Sequence, residues 1–241
     1  MTILTGDTHR DFLRIKEFNE KFDLTTEDLI IILGDASINY FDDSRDMSYK
    51  YSIDHNIPAR LLCIHGNHEI RPEKLPLYRE MEWQGGIVYV EHEFLKLRFA
   101  KCGEIYEIEG KKCIAIGGAY SIDKDIRIAE DWGWWEDEQP SDEIKNRVEE
   151  KLDTVNWRVD IVLSHTAPFK YEPREVFMKG FPQHEVDKST EHWLDSIEDR
   201  LDYDRWYCGH YHTNKSIDKM RFLYDTYLNL DDLYATLRSV Q

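Results

Sequence analysis

The chain has 241 residues, 41% of them hydrophobic, and a formal net charge of −17. This length and apolar content suffice for one domain with a substantial core, and they argue against general disorder. The strong negative charge argues against a protein whose general surface binds nucleic acid or an anionic membrane, because phosphate groups would be repelled.

The first third of the chain alternates short apolar runs with helical patterns. Three runs are rich in Ile and Leu and bounded by turn residues, as buried strands are: 2–4, 29–33 and 61–64. Phe12, Ile15, Phe18 and Phe22 recur at helical spacing between the first two runs, and a second helical stretch covers about 44–55. This β-α-β-α-β order predicts parallel strands joined by crossover helices.

The middle of the chain changes character. Four short apolar runs punctuated by glycines follow one another and predict antiparallel hairpins: 87–90, 95–99, 104–108 and 113–116. Ser141, followed by two acidic residues, predicts the start of a helix with Val148 and Leu152 on one face. A strand at 159–163, a helix at 190–201 and closing strands are predicted next.

No Pro/Gly/Ser-rich linker or repeat divides the sequence, so we predict a single domain over residues 1–241. Residues 226–241 are predicted to form a small helix or a frayed tail. No apolar or basic leader precedes the first predicted strand, and the four cysteines form no CxxC pair. We therefore expect a reduced, cytoplasmic protein that does not span a membrane.

Five of the predicted strands end in residue types that bind metals. The motifs that follow them are Gly6-Asp7-Thr8-His9, Gly34-Asp35, Gly66-Asn67-His68-Glu69, the single His165, and Gly209-His210-Tyr211-His212. Ligands placed just past several strands converge at one edge of an α/β sheet. Asp and His suit Mn²⁺, Fe²⁺ or Zn²⁺, and the set is too large for one ion. The sequence therefore predicts two ions bridged by a carboxylate.

The ordered motifs D-x-H, G-D, G-N-H-E, H and G-H-x-H, which run from Asp7 to His212, resemble those of the calcineurin-like metallophosphoesterase superfamily. The fold that this resemblance implies is α/β (α+β), a four-layer αββα sandwich of two mixed β-sheets flanked by helices. The activity it implies is hydrolysis of a phosphate ester by a hydroxide that bridges two metal ions. Mn²⁺ is the expected ion, with Fe or Zn as alternatives.

The resemblance also implies a role for each motif residue. Residues of the first set would hold one metal ion: Asp7, His9 and His212. Residues of the second set would hold the other: Asn67, His165 and His210. Asp35 would bridge both ions, and His68 would stabilise the transition state and protonate the leaving group.

The sequence departs from the family pattern at two places. Arg10 stands where the family usually has Gly. The second motif of the family commonly reads G-D-x-x-[DN], whereas this chain has Ile38 at the last position and Asn39 one residue later. Arg10, Asn39 and Arg71 are candidate substrate contacts. The alternatives are a solvated residue for Arg10, a loop-shaping role for Asn39 and a salt bridge for Arg71. Trp132, Trp134 and Trp135 would either wall the pocket or anchor their own loop.

The first function predicted is hydrolysis of a phosphate monoester or diester of a small molecule or nucleotide. The alternative that is not an enzyme is a non-catalytic metal-binding scaffold of the same fold. Such scaffolds tend to lack metal ligands, and this chain has every ligand of the family pattern. A protein phosphatase and a nuclease also stay open, but the sequence has no basic groove of the kind that nucleic-acid binding needs. The expected partner is a small phosphorylated substrate.

Overall fold

The computed structural model describes residues 1–230. Five α-helices span Leu13–Phe22 (α1), Ser44–Asn56 (α2), Lys124–Ala129 (α3), Asp142–Thr154 (α4) and Ser189–Glu198 (α5). Within the described part of the chain, no helix is both long and apolar enough to cross a bilayer.

A seven-stranded sheet contains most of the first half of the chain. Its strands are Thr2–Thr5 (β1), Leu29–Ile32 (β2), Arg60–Cys63 (β3), Tyr78–Trp83 (β4), Gly86–Glu91 (β5), Leu97–Ala100 (β6) and Tyr227–Asn229 (β13). They lie in the order β13-β1-β2-β3-β6-β5-β4. The strands β1, β2, β3 and β6 are parallel, and the outer pairings are antiparallel.

A six-stranded sheet contains the second half. Its strands are Ile105–Ile108 (β7), Lys111–Ile116 (β8), Ile161–Ser164 (β9), Arg205–Cys208 (β10), Lys215–Ile217 (β11) and Met220–Phe222 (β12). They lie in the order β11-β12-β10-β9-β8-β7. The four central strands are parallel, with an antiparallel strand at each edge. Both sheets are therefore mixed, as the resemblance implies.

Three clusters of buried side chains divide the fold into four layers. Ile31 of the first sheet and Leu163 of the second belong to one cluster, which lies between the two sheets. Ile30 belongs to a second cluster with Phe18 of α1, and α4 and α5 contribute to a third cluster on the outer face of the second sheet. Because successive residues of β2 point to opposite faces, a strand buried on both faces is continuously apolar. The αββα sandwich is confirmed.

Most predicted elements are present within one or two residues of their expected ends. Ser141 caps α4, since its hydroxyl oxygen accepts a hydrogen bond from the backbone N–H of Ile144 at 3.3 Å. The strand β4 was not predicted, because three of its six side chains are exposed and charged (Arg79, Glu80 and Glu82), which is typical of an edge strand. Tyr227–Asn229 forms a strand beside β1 rather than the predicted helix or tail. Residues 231–241 of that prediction lie outside the described part.

Candidate metal centre

The loops that follow five parallel strands meet at one edge of the sandwich. The strands β1, β2 and β3 are neighbours in the first sheet, and β9 and β10 are neighbours in the second. The structure brings together the side chains of the seven predicted ligands, which are Asp7, His9, Asp35, Asn67, His165, His210 and His212. This convergence follows from strand direction, since the carboxyl ends of parallel strands share an edge.

A first group of ligand atoms joins the loops after β1 and β10. The Nε2 atoms of His9 and His212 are 2.9 Å apart, and Nε2 of His212 is 3.4 Å from Oδ2 of Asp7. The candidate ligand atoms of these three residues all lie within 4.8 Å of one another. Such a set can hold one divalent ion.

A second group surrounds the buried ring of His165. Its Nε2 is 2.8 Å from Oδ1 of Asn67 and 3.5 Å from Oδ2 of Asp35. The His210 ring lies beside it, with ring centroids 5.0 Å apart. Asp7 also reaches this group, since its Oδ1 is 3.6 Å from Nδ1 of His165.

The tautomer of His165 tests whether these residues fit a metal. Its Nδ1 lies 2.8 Å from the carbonyl oxygen of Leu33, which can only accept, so Nδ1 carries hydrogen. In the neutral ring, Nε2 then presents a lone pair to the oxygens of Asn67 and Asp35. Three electron-rich atoms that face one another are held by a proton on Nε2 or by a metal ion, and a backbone partner on the other ring nitrogen is typical of metal-binding histidines. The residues fit a divalent metal.

The titration of the ligands agrees with that fit. Burial lowers the pKa of His9 and His210, and it lowers the pKa of His212 to about 4, so these rings are the neutral imidazoles that metals require. His165 differs: burial lowers its pKa, but the Asp35 and Asp7 carboxylates outweigh burial and raise that pKa to about 9. A bound cation would take the place of that proton.

Gly34, Gly66 and Gly209 each make room for a candidate ligand from another motif. A Cβ atom at Gly34, where φ is +95°, would lie 1.9 Å from Nδ1 of His165. A Cβ atom at Gly66 would lie 2.0 Å from Oδ1 of Asp35. Four ligands have left-handed backbone conformations, which are uncommon outside glycine and cluster at functional sites: His9, Asp35, His210 and His212.

Glu69 and Ser121 support the centre without being ligands. The buried carboxylate of Glu69 accepts hydrogen bonds from the backbone N–H groups of Gly66 at 3.0 Å and Ser37 at 3.1 Å, which joins the loops after β2 and β3. The Ser121 hydroxyl oxygen accepts from Nδ2 of Asn67 at 2.8 Å. Sequence reasoning gave neither residue a role. Ser121 follows β8, which is parallel to β9 and ends at the same edge of the sheet. That position places Ser121 near the site but does not identify Asn67 as its partner.

The three candidate substrate contacts are hydrogen-bonded to other residues of the protein. Arg10 donates to Asp46 at 2.7 Å and to the carbonyl oxygen of Ser37 at 3.0 Å. Asn39 accepts from the hydroxyl of Tyr78 at 2.9 Å, and buried Arg71 donates to the carbonyl oxygen of Asp137 at 2.8 Å. The contacts of Asn39 and Arg71 agree with the alternatives of a loop-shaping residue and a salt bridge, whereas Arg10 is ion-paired with Asp46 and is not a solvated residue.

The three tryptophans contact other residues of the fold or solvent. The Trp135 ring packs edge-on against Tyr40, and Trp134 lies against Lys124, so both anchor their own segment. Trp132 is exposed.

A cavity of about 410 Å³ opens beside the ligands. His68 lines it together with Asp35, Asn67, His210 and His212. The other lining residues are Tyr120, Ile122, Asp123, Val176, Phe177, Met178, Gln183, Val186, Lys188, Glu191 and Tyr211. Its volume is that of a small-molecule site.

Comparisons with known proteins give a family match and similar solved structures. The profile of the family described as calcineurin-like phosphoesterase matches residues 2–214. Among solved structures, the chain is similar to phosphopantetheinyl hydrolase from Mycobacterium tuberculosis, with 16% identity, 92% of this chain and 87% of that chain covered, and a TM-score of 0.43. It is also similar to a protein of unknown function from Aquifex aeolicus, with 16% identity, coverages of 71% and 81%, and a TM-score of 0.34. No curated protein matches the chain.

Proposed function

We propose, from the premise that the chain belongs to the calcineurin-like phosphoesterase family, that it hydrolyses a phosphate monoester or diester of a small molecule with the help of two divalent metal ions. Asp7, His9 and His212 would hold one ion. Asn67, His165 and His210 would hold the other, and Asp35 would contact both. Mn²⁺ is the first choice, and Fe or Zn would also suit these ligands.

The position of Asp35 is the observation that carries the proposal. Its Oδ2 lies 3.7 Å from Nε2 of His9 and 3.5 Å from Nε2 of His165, so one oxygen faces both ligand groups. Its Oδ1 accepts the backbone N–H of His68 at 2.8 Å, which holds the carboxylate in that orientation. Burial raises the pKa of Asp35, but the charge and hydrogen bond of His165 outweigh burial and hold that pKa well below its usual range. The carboxylate is therefore charged, as a bridging ligand must be.

The remaining chemistry falls to His68 and the cavity. When bound, two divalent ions activate a water molecule and neutralise charge on the phosphoryl oxygens. The His68 ring lines the cavity and lies edge-on to His9, with ring centroids 5.0 Å apart. Burial, opposed by Asp35, lowers the pKa of His68. The negative charge of a substrate phosphate would raise the pKa of His68. The protonated ring can then donate to a phosphoryl oxygen and pass a proton to the departing alkoxide.

Hydrolysis of two chromogenic esters tests the proposal. Chelator-treated protein would be reloaded with Mn²⁺ and assayed with p-nitrophenyl phosphate and bis(p-nitrophenyl) phosphate, with Asp35→Asn as the blank. We expect turnover that depends on metal and is absent from the blank, and the better ester would indicate monoester or diester chemistry. Absence of turnover with both esters would favour the non-catalytic scaffold.

A further inference from the structure

We propose, resting on the proposed function, that the substrate carries its phosphate on an apolar, uncharged chain, and that this chain lies along one wall of the cavity. The apolar wall comes from two loops, one after β8 and one between β9 and α5. It consists of Ile122, Val176, Phe177, Met178 and Val186.

Three of the five side chains of the apolar wall are left exposed by residues 1–230. Ile122 is 44% exposed, Val176 43% and Met178 65%. Large apolar side chains grouped on one cavity surface are typical of a binding site, because covering them with an apolar ligand removes them from water. An alkyl or aryl group esterified to the phosphate would supply that cover.

The apolar wall is joined to the metal centre through Tyr211. The Phe177 ring stacks on Tyr211, with centroids 6.1 Å apart and an interplanar angle of 12°. Tyr211 stands between the ligands His210 and His212, and its hydroxyl lies 3.0 Å from that of Thr166. A phosphate held at the ligands would therefore place its ester group beside Phe177.

The charges in the cavity argue against a polyanionic substrate. Among the described residues that line it, Lys188 is the only lysine or arginine. Its Nζ is 2.6 Å from the buried carboxylate of Glu172, so its charge is already paired. Asp123 and Glu191 line the same space. A second or third phosphate would find no free cation there, so a nucleoside triphosphate is a poor fit.

A series of chain lengths tests the inference. The Mn²⁺-loaded protein would be assayed with ethyl, butyl, hexyl and octyl phosphate, and with the matching alkyl p-nitrophenyl diesters. We expect kcat/KM to rise with length by up to about fourfold per methylene until the wall is covered. Adenosine triphosphate should be a poorer substrate than butyl phosphate. A flat or falling dependence on length in both series, or a preference for the triphosphate, would overturn the inference.

Matched variants connect the effect to the wall. The double variant Ile122→Ser/Met178→Ser should lower kcat/KM for the octyl ester by about tenfold or more, and it should lower kcat/KM for the ethyl ester much less. Ile128→Ser is the control, because Ile128 is 52% exposed on α3 but does not line the cavity. Equal losses in the double variant and the control would contradict the assignment of the wall.

Binding separates this inference from the proposed function. Octylphosphonate and ethylphosphonate, which cannot be hydrolysed, would be titrated into the protein in a calorimeter. Tighter binding of the octyl compound, lost in Ile122→Ser/Met178→Ser, supports the wall even if no ester is turned over. Turnover of short esters without any preference for length would keep the phosphoesterase and reject the wall.

Discussion

The side-chain amide of Asn67 donates a 2.8 Å hydrogen bond to the hydroxyl oxygen of Ser121, and this contact determines which end of the amide faces the ligands. With Nδ2 held by Ser121, Oδ1 points to Nε2 of His165 at 2.8 Å. Arg127 also donates to the Ser121 hydroxyl at 3.3 Å, and Glu138 accepts from the backbone and side chain of Ser121. The Ser121 oxygen is thereby kept as an acceptor for Asn67.

We expect Ser121→Ala to weaken metal binding, because an amide without that acceptor can turn its NH₂ group toward the ligands. Loss of a partner that orients a ligand typically costs about 10–100-fold in metal affinity. Mn²⁺ affinity would be measured by calorimetry on chelator-treated protein. Because Ser121 is buried, unfolding by urea would be measured in parallel to detect a general loss of stability.

The control uses the symmetry of a carboxylate. In an Asn67→Asp background both side-chain oxygens are equivalent, so turning the group no longer changes the ligand. The effect of Ser121→Ala on Mn²⁺ affinity should then largely disappear. An undiminished effect in that background would show that Ser121 acts by general packing and not through Asn67.

The sequence was sufficient to predict which candidate ligands lie together at the strand ends, but not which residues surround them. Each candidate ligand lies in a motif that follows an apolar run, so a short stretch of sequence predicts both the strand and the side chains at its end. Ser121 lies 54 positions from Asn67, and no local pattern connects them. The guanidinium of Arg10 was open to several partners, and the nearest acceptors in the fold, Asp46 and the carbonyl of Ser37, could not be identified without the tertiary structure.

Gly34→Ala should be more destabilising than an alanine at another left-handed glycine. At Gly110, where φ is +74° and no atom lies within 4 Å of the position that a methyl group would take, alanine should cost about 1–2 kcal/mol of backbone strain alone. At Gly34 the methyl also meets the His165 ring, which should add about 1–3 kcal/mol. Urea unfolding of the two variants measures the difference. Equal losses would mean that the ring moves aside freely.

His68→Ala should separate metal binding from turnover. The ring lines the cavity but is absent from both groups of ligand atoms, so metal content should stay the same. Loss of a proton donor should lower kcat by about 10²–10⁴-fold. His55→Ala, at an exposed position of α2, is the control for removing an imidazole. Full activity of His68→Ala with metal bound would refute the role given to His68.

Metal should stabilise the fold, and Asp35 should be required for the full effect. In the metal-free protein two buried carboxylates face each other, and burial, opposed by His165, raises the pKa of Asp7 to about 7. A bound divalent ion would neutralise the repulsion between the carboxylates. At a free concentration of 100 times its Kd, the ion should stabilise the folded state by about 2.7 kcal/mol. Thermal unfolding with and without Mn²⁺ measures the shift in Tm.

Asp35→Asn should lose most of that shift, because the variant lacks the charge that faces both ligand groups. Metal content after dialysis should fall below that of the unaltered protein, whereas Asp42→Asn, at an exposed position, should change neither quantity. A Tm shift in Asp35→Asn as large as that of the unaltered protein would show that the ions bind without a bridge. The seven ligands would then form independent sites, and the proposal of a shared centre would fail.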